Sequence, residues 1–268
     1  MGRLTQTGYP NLSGQRIKVC YNLEEKMGRG CIKKLVRVFL ISIVVFQIIS
    51  AKAFSENETG AENKTYEEML KTTVYIKLWN KENPSRQVQG SGFIADPSGV
   101  ILTADHLLEE WLPDIEVRFS NGDVYYTNEV KVINVDHRRD IAVIKVRAVN
   151  LPCVKLGDSD ATAIGEPIYT ISSPLGLEGT ITKGNISTKR NFGSGFTQLQ
   201  ISAPISHGSS GGPIFNTKGE VVGIITESNT EGQALNFGTP INYAKSMISI
   251  VPGWTFTEYV EKRSKEII

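Results

Sequence analysis

The chain has 268 residues, 40% of them apolar, with 29 Lys and Arg against 28 Asp and Glu. That is enough apolar material for a sizeable core and too little net charge for a polyanion-binding body. The balance is uneven: residues 1–53 hold nine basic and two acidic side chains, leaving 20 and 26 for the rest. A basic leader before an acidic body points to targeting and excludes nucleic acid as a partner.

Val38 to Ile49 is the longest apolar run, preceded by Lys33, Lys34 and Arg37 and followed by Ala51-Lys52-Ala53. It is shorter than the ~20 residues that cross a bilayer. A basic flank, a short apolar stretch and small residues at the exit read as a signal peptide over 1–53. Met27 would start a leader of ordinary length. An uncleaved leader, anchoring the protein in the inner membrane, is the other reading, and the only membrane contact expected. Cys20 and Cys31 fall within the leader, so Cys153 is left alone in the exported part and no internal disulfide is expected there. An exported chain without staples fits a bacterial periplasm or secretion.

Residues 54–65 are polar and read as a linker. Val74, Ile76 and Leu78 then alternate with polar neighbours, the period of a half-buried strand. Ile115–Phe119 and Val124–Thr127 flank Asn121-Gly122, a hairpin signal. Val130–Val135, Ile141–Val146, Ile168–Ile171, Thr180–Ile186, Thr197–Ser202 and Val221–Thr226 continue the series of strands. Helical periodicity is strong only near Asn242–Ile250 and Thr257–Ile267. Many short strands at this spacing predict an all-β sandwich or barrels. The polar stretch Asn150–Ala163 divides a domain at 66–250 into halves near 66–150 and 164–250. Residues 251–268 form a helical tail.

The chemistry concentrates in Gly208-Ser209-Ser210-Gly211-Gly212-Pro213. Glycines around a serine permit a tight turn that exposes the hydroxyl and lets backbone N–H groups converge, as an oxyanion hole requires. The same string fits the nucleophile elbow of α/β-hydrolases, but there the histidine follows the serine. Here His106, His137 and His207 all precede Ser210. The order His, Asp, Ser is that of the chymotrypsin arrangement. His106 ends the apolar run Ile101-Leu102-Thr103-Ala104-Asp105, and Asp140 opens Ile141–Val146, with Asp136 as a rival acid. Each of these alone is most simply a structural residue; their joint occurrence in order makes a triad.

Several segments, in sequence order, resemble the high-temperature-requirement (HtrA/Deg) trypsin-like serine proteases. Gly90-Ser91-Gly92-Phe93-Ile94 and Gly99–His106 are similar to the region of the catalytic histidine, and Asp140–Val146 to that of the acid. Leu156-Gly157-Asp158-Ser159 and Ser173–Leu177 resemble the inter-barrel segment and a following loop. Gln200–Pro213 resembles the nucleophile segment, Gly219–Ile224 the next strand, and Asn236–Pro240 the pocket-closing segment. The resemblance spans about residues 72–250.

It implies a chymotrypsin-like double β-barrel of two six-stranded barrels with a cleft between, followed here by a short C-terminal helix. It implies His106 as base, Asp140 as its orienter, Ser210 as nucleophile, and the N–H groups of Gly208 and Ser210 as oxyanion hole. Asp136 is left structural. Pro204, Ile205, His207, Thr226, Phe237 and Gly238 would line the substrate pocket. Asp105, Ser209 and His207 depart from the family's usual residues. The residues after Ile250 are too few for the peptide-binding PDZ module many members carry. The expected activity is serine endopeptidase, in quality control or processing of envelope proteins, on protein and peptide substrates. No cofactor and no metal are expected. The alternatives are a weakly catalytic binding or chaperone module on the same fold, and a self-processing protease. The oligomeric state is not legible.

Overall fold

The structure, a computed structural model, describes residues 39, 40, 43, 47, 65–109, 112–172, 179–193, 195–228, 235–249 and 253–265. All but four residues of the expected leader (1–53), nearly all of the linker (54–65) and the loop Ser173–Leu177 lie outside these residues. The chain divides into two units, Met1–Asn63 and Lys64–Ile268. In the first, the four described positions are helical. Among the described residues no helix is long and apolar enough to cross a membrane.

The second unit opens with a helical segment, α1 (65–71), whose Met69 carbonyl accepts the Thr72 hydroxyl and N–H as the turn ends. Seven strands follow: β1 (Thr73–Trp79), β2 (Gln87–Asp96), β3 (Val100–Thr103), β4 (Asp114–Phe119), β5 (Val124–Tyr126), β6 (Val130–Asp136) and β7 (Ile141–Val146). A four-residue helix, α2 (His106–Glu109), interrupts them after β3. With a late strand, β15 (Trp254–Thr255), they form one eight-stranded sheet in the order β15-β6-β7-β3-β2-β1-β4-β5. Alternation puts Val74, Ile76 and Leu78 of β1, Ile115 and Val117 of β4, Val130 and Val132 of β6, and Ile144 of β7 in one apolar cluster. Strands from opposite ends of the sheet thus share a core, so the sheet is curled.

The second sheet comprises β8 (Lys155–Leu156), β9 (Pro167–Ser172), β10 (Thr180–Asn191), β11 (Thr197–Ile201), β12 (Pro213–Asn216), β13 (Glu220–Ser228) and β14 (Asn236–Pro240). Its order is β12-β9-β10-β11-β14-β13-β8, and β12 also pairs with β13. That extra pairing closes six strands into a ring around Ile168, Ile186, Leu199, Ile201, Ile214 and Val222. The strand β8 is added outside the ring, parallel to β13. Between the sheets lies a mixed cluster, with Phe93 and Leu102 from the first and Ile171, Phe215 and Ile224 from the second.

The all-β double barrel and its C-terminal helix, α3 (Phe256–Lys265), agree with the expectation. Two details differ. The first sheet has eight strands instead of six, because β5 and β15 extend it at its ends. The helical periodicity around Asn242–Ile250 yields only two three-residue 310 turns, Ile241–Tyr243 and Lys245–Met247. Ile241 and Met247 anchor these turns in the inter-sheet cluster.

Candidate active site

His106 opens α2 as the chain leaves β3, and Asp140 ends the turn from β6 to β7, so both project from the first sheet. Their contact is two-pronged. The His106 N–H donates to Asp140 Oδ1 and the ring Nδ1 lies against Oδ2, both at 2.8 Å. Fixing the backbone and the ring to one carboxylate orients the imidazole and holds the proton on Nδ1, leaving Nε2 able to accept another. Burial pulls the His106 pKa down, but the hydrogen bond and charge of Asp140, with the charges of Asp105 and Glu109, outweigh it and leave it raised.

Asp140 itself has φ +55°, the left-handed region, at a cost of roughly 1 kcal/mol for a residue with a side chain. The preceding turn holds it there. Asp136 accepts the Arg139 N–H at 3.0 Å and its guanidinium at 2.7 Å. Arg139 also stacks over the Tyr243 ring at 4.6 Å, and its carbonyl accepts the Thr239 hydroxyl at 2.7 Å. Asp136, the rival acid, is thus committed to building the turn. Thr239 and Tyr243 tie that turn to the second half of the chain.

Ser210 lies between β11 and β12 of the second sheet. Gly208 and Gly211 adopt φ +93° and +84°, where a Cβ is strained. A Cβ on Gly211 would also meet the Ser91 carbonyl oxygen at 2.1 Å. The loop is clamped from the first sheet by Ser91 of β2. The Ser91 hydroxyl donates to the Gly208 carbonyl at 2.7 Å, and its N–H donates to the Ser210 carbonyl at 2.8 Å. Thr103 donates to the Ser91 carbonyl at 2.7 Å from β3, and both side chains are fully buried. From below, Ser209 Oγ contacts Ser172 Oγ at 3.1 Å and accepts the Ser206 N–H at 3.2 Å. The Ser210 hydroxyl points to the Thr226 carbonyl at 3.5 Å, and among the described residues no hydrogen bond joins it to His106.

Of the expected pocket residues, Thr226 and Gly238 are buried on the neighbouring strands β13 and β14, where Gly238 pairs with Ile225. Phe237 is half-buried and meets the Phe192 ring edge-on at 6.2 Å. Ile205 packs on the core of the second sheet. Pro204 and His207 are exposed, and the Pro204 carbonyl accepts the Thr182 hydroxyl at 2.9 Å. A cavity of about 420 Å³ opens elsewhere, between α1, β1 and β4 beside Lys71, Tyr75 and Arg118, and is not lined by His106, Asp140 or Ser210.

Sequence reasoning gave no role to Ser91, Thr103 or His137. The signal for the first two was a lone polar residue in an otherwise apolar or glycine-rich strand. Asp105 stood out only as an extra carboxylate beside His106. The structure buries it, 1% exposed, against His137 Nδ1. Burial pushes the Asp105 carboxyl up, against the pull of His137.

Residues 90–224 match the family model described as a trypsin-like peptidase domain. HhoB of Synechocystis sp., named as a serine protease, is 39% identical over 172 residues, 62% of this chain and 40% of that protein. A protein of Pseudomonas putida named as a periplasmic, DegP-like serine endoprotease is 39% identical over 164 residues, 59% of this chain and 34% of its own. The similarly named protein of Marinomonas sp. is 32% identical over 221 residues, 78% of this chain and 46% of its own. The chain therefore spans between a third and a half of the length of these curated relatives. A structure titled as an HtrA-type protease, AlgW with a decapeptide, superposes with a TM-score of 0.59 at 23% identity, covering 68% of this chain and 64% of that one. That likeness bears on the fold alone. With the family model matching half of its length, the chain belongs to the trypsin-like peptidase family.

Proposed function

We propose that the chain is an exported serine endopeptidase acting on protein substrates through His106, Asp140 and Ser210. The observation that carries the reading is the two-pronged His106–Asp140 contact on one sheet, beside a glycine-built serine loop of the other sheet that Ser91 clamps. His106 Nε2 takes the Ser210 proton as Oγ bonds to the peptide carbonyl carbon, giving a tetrahedral oxyanion. The Gly208 and Ser210 N–H groups stabilise that charge. Collapse expels the amine, which leaves with the proton from His106, and the acyl-enzyme is then hydrolysed by a water that His106 activates. The acidic body, the basic leader and the periplasmic relatives together support the bacterial envelope as its compartment, and quality control or processing of proteins there as its task.

A fluorophosphonate probe tests the chemistry directly, because it reacts with an activated serine and needs no knowledge of the substrate. The full chain should label on Ser210, and both Ser210→Ala and His106→Ala should abolish labelling. An unlabelled, folded wild-type protein would overturn the peptidase reading and leave a binding module on the protease fold.

A further inference from the structure

One cluster lies beside the proposed triad and supplies no member of it. Asp105, at the β3–α2 junction, Glu109, at the end of α2, and His137, in the β6–β7 turn, present one donor atom each, all within 4.8 Å of one another. His137 Nδ1 contacts Asp105 Oδ2 and lies 3.6 Å from Glu109 Oε1. Asp105 is 1% exposed, and its other oxygen, Oδ1, is buried with no hydrogen-bond partner. A carboxylate kept in that state is costly unless something cationic shares it. Glu109 and His137, by contrast, are open to solvent at 45% and 40% side-chain exposure, which gives an ion a path in.

We propose that Asp105, Glu109 and His137 form a binding site for a divalent transition-metal ion, best matched by Zn²⁺, which braces the base-bearing helix against the acid-bearing turn. One imidazole and two carboxylates with a position left for water are a donor set that suits zinc; an all-oxygen set would suit calcium or magnesium. The spacing is close to what the ion needs. Metal–donor bonds of ~2.1 Å set tetrahedral donor–donor edges of roughly 3.4 Å. The His137–Glu109 separation of 3.6 Å already matches such an edge, and the Asp105–His137 contact would open as the ion enters between them.

The placement defines the consequence. Asp105 precedes His106, and His137 lies three residues before Asp140. An ion held by both therefore cross-links the segments that carry the base and its orienter. It takes no step in peptide hydrolysis. It stabilises the folded chain by binding it and not the unfolded one.

The test is calorimetric titration of Zn²⁺ alone into the chelator-stripped full chain, with Ser210→Ala present to prevent self-digestion. Co²⁺ absorption reports the ligand set, and thermal unfolding reports the brace. One ion per chain should bind and raise Tm. Both His137→Ala and Glu109→Gln should weaken binding by about tenfold or more and remove the Tm gain; Glu109→Gln, which leaves the Asp105–His137 contact in place, carries the test if His137→Ala lowers the stability of the stripped chain. His207→Ala in the same background should bind like its parent. Absence of binding, or binding lost with His207→Ala but kept in His137→Ala, would overturn the proposal and leave an Asp105–His137 ion pair.

Discussion

Ser91→Ala probes how much of the nucleophile loop's geometry is imposed from the opposite sheet. The substitution removes one oxygen from a side chain that is 0% exposed and leaves the buried Gly208 carbonyl without its 2.7 Å donor. A buried acceptor stripped of its partner costs about 1–3 kcal/mol. The loop escapes part of that cost by turning the peptide toward another donor, which displaces the N–H groups expected to bind the oxyanion. At 1.4 kcal/mol per tenfold, the full penalty expressed in the transition state is roughly 5- to 150-fold in kcat, with KM little changed. Thr103→Val is the control. It removes the next hydrogen bond in the same buried chain, to the Ser91 carbonyl, but leaves the Ser91–Gly208 contact in place. It should lower stability by a similar amount, seen as a shifted urea midpoint, with the smaller effect on kcat. Rates are normalised to the fraction of sites titrated by a fluorophosphonate, so that unfolded protein does not count as slow enzyme. A Ser91→Ala enzyme with kcat within about twofold of wild type at full site titre would refute the reasoning.

Four other outcomes are expected. Asp140→Asn should lower kcat by ~10⁴-fold by disturbing the tautomer of His106, while Asp136→Asn keeps most activity and loses stability; the reverse pattern in steady-state assays would reassign the acid. Because the folded His106 pKa is raised above 6.5, kcat/KM should fall as pH drops through a midpoint above that value. Stability moves the other way: the dyad's contribution is complete below 6.5 and lost as pH rises through the raised value, so an activity midpoint well below 6.5 would contradict the geometry. Mass-spectrometric mapping of casein fragments should show cuts after Val, Ala, Leu or Ile, because Thr197–Lys218 holds no acidic residue and burying an unpaired Lys or Arg costs several kcal/mol. Cuts mostly after Lys or Arg would overturn this specificity. Material recovered from the envelope should begin at Phe54 on Edman sequencing, whereas a retained leader that pellets with membranes would favour the anchor.

Strands whose apolar residues alternate, such as β1, or which are apolar but for one lysine, such as β7, were legible because burial on one or both faces dictates that pattern. The Asn121-Gly122 hairpin was legible because the turn demands those residues: Gly122 sits at φ +91°. The strands β12 and β14 were not read as strands. Pro213 and the Asn236-Phe237-Gly238-Thr239-Pro240 segment look like loop from propensity alone. Closing the ring fixes them, since β12 is hydrogen-bonded to β9 and β13, and β14 to β11 and β13. The short 310 turns at Ile241–Met247 failed to become a helix for a related reason: each presents its apolar residue to the inter-sheet cluster after less than a turn. Within the site, the identities and order of His106, Asp140 and Ser210 carried the signal. The contacts that position them did not. Ser91 reaches Gly208 across 117 residues and Asp105 meets His137 across 32, and no local pattern encodes a partner at such separations.

The strand β15 has a consequence for how the molecule comes into being. Trp254 and Thr255 pair with Val132 and Lys131, and Phe256 and Tyr259 complete the core of the first sheet. A chain delivered N-terminus first therefore holds β6 as an open edge until nearly all the rest has arrived. His106 and Asp140 belong to that unfinished half. A nascent chain in this state carries an exposed strand edge that invites mispairing. The risk of mispairing during synthesis thus has one origin in the late pairing of a two-residue strand with β6.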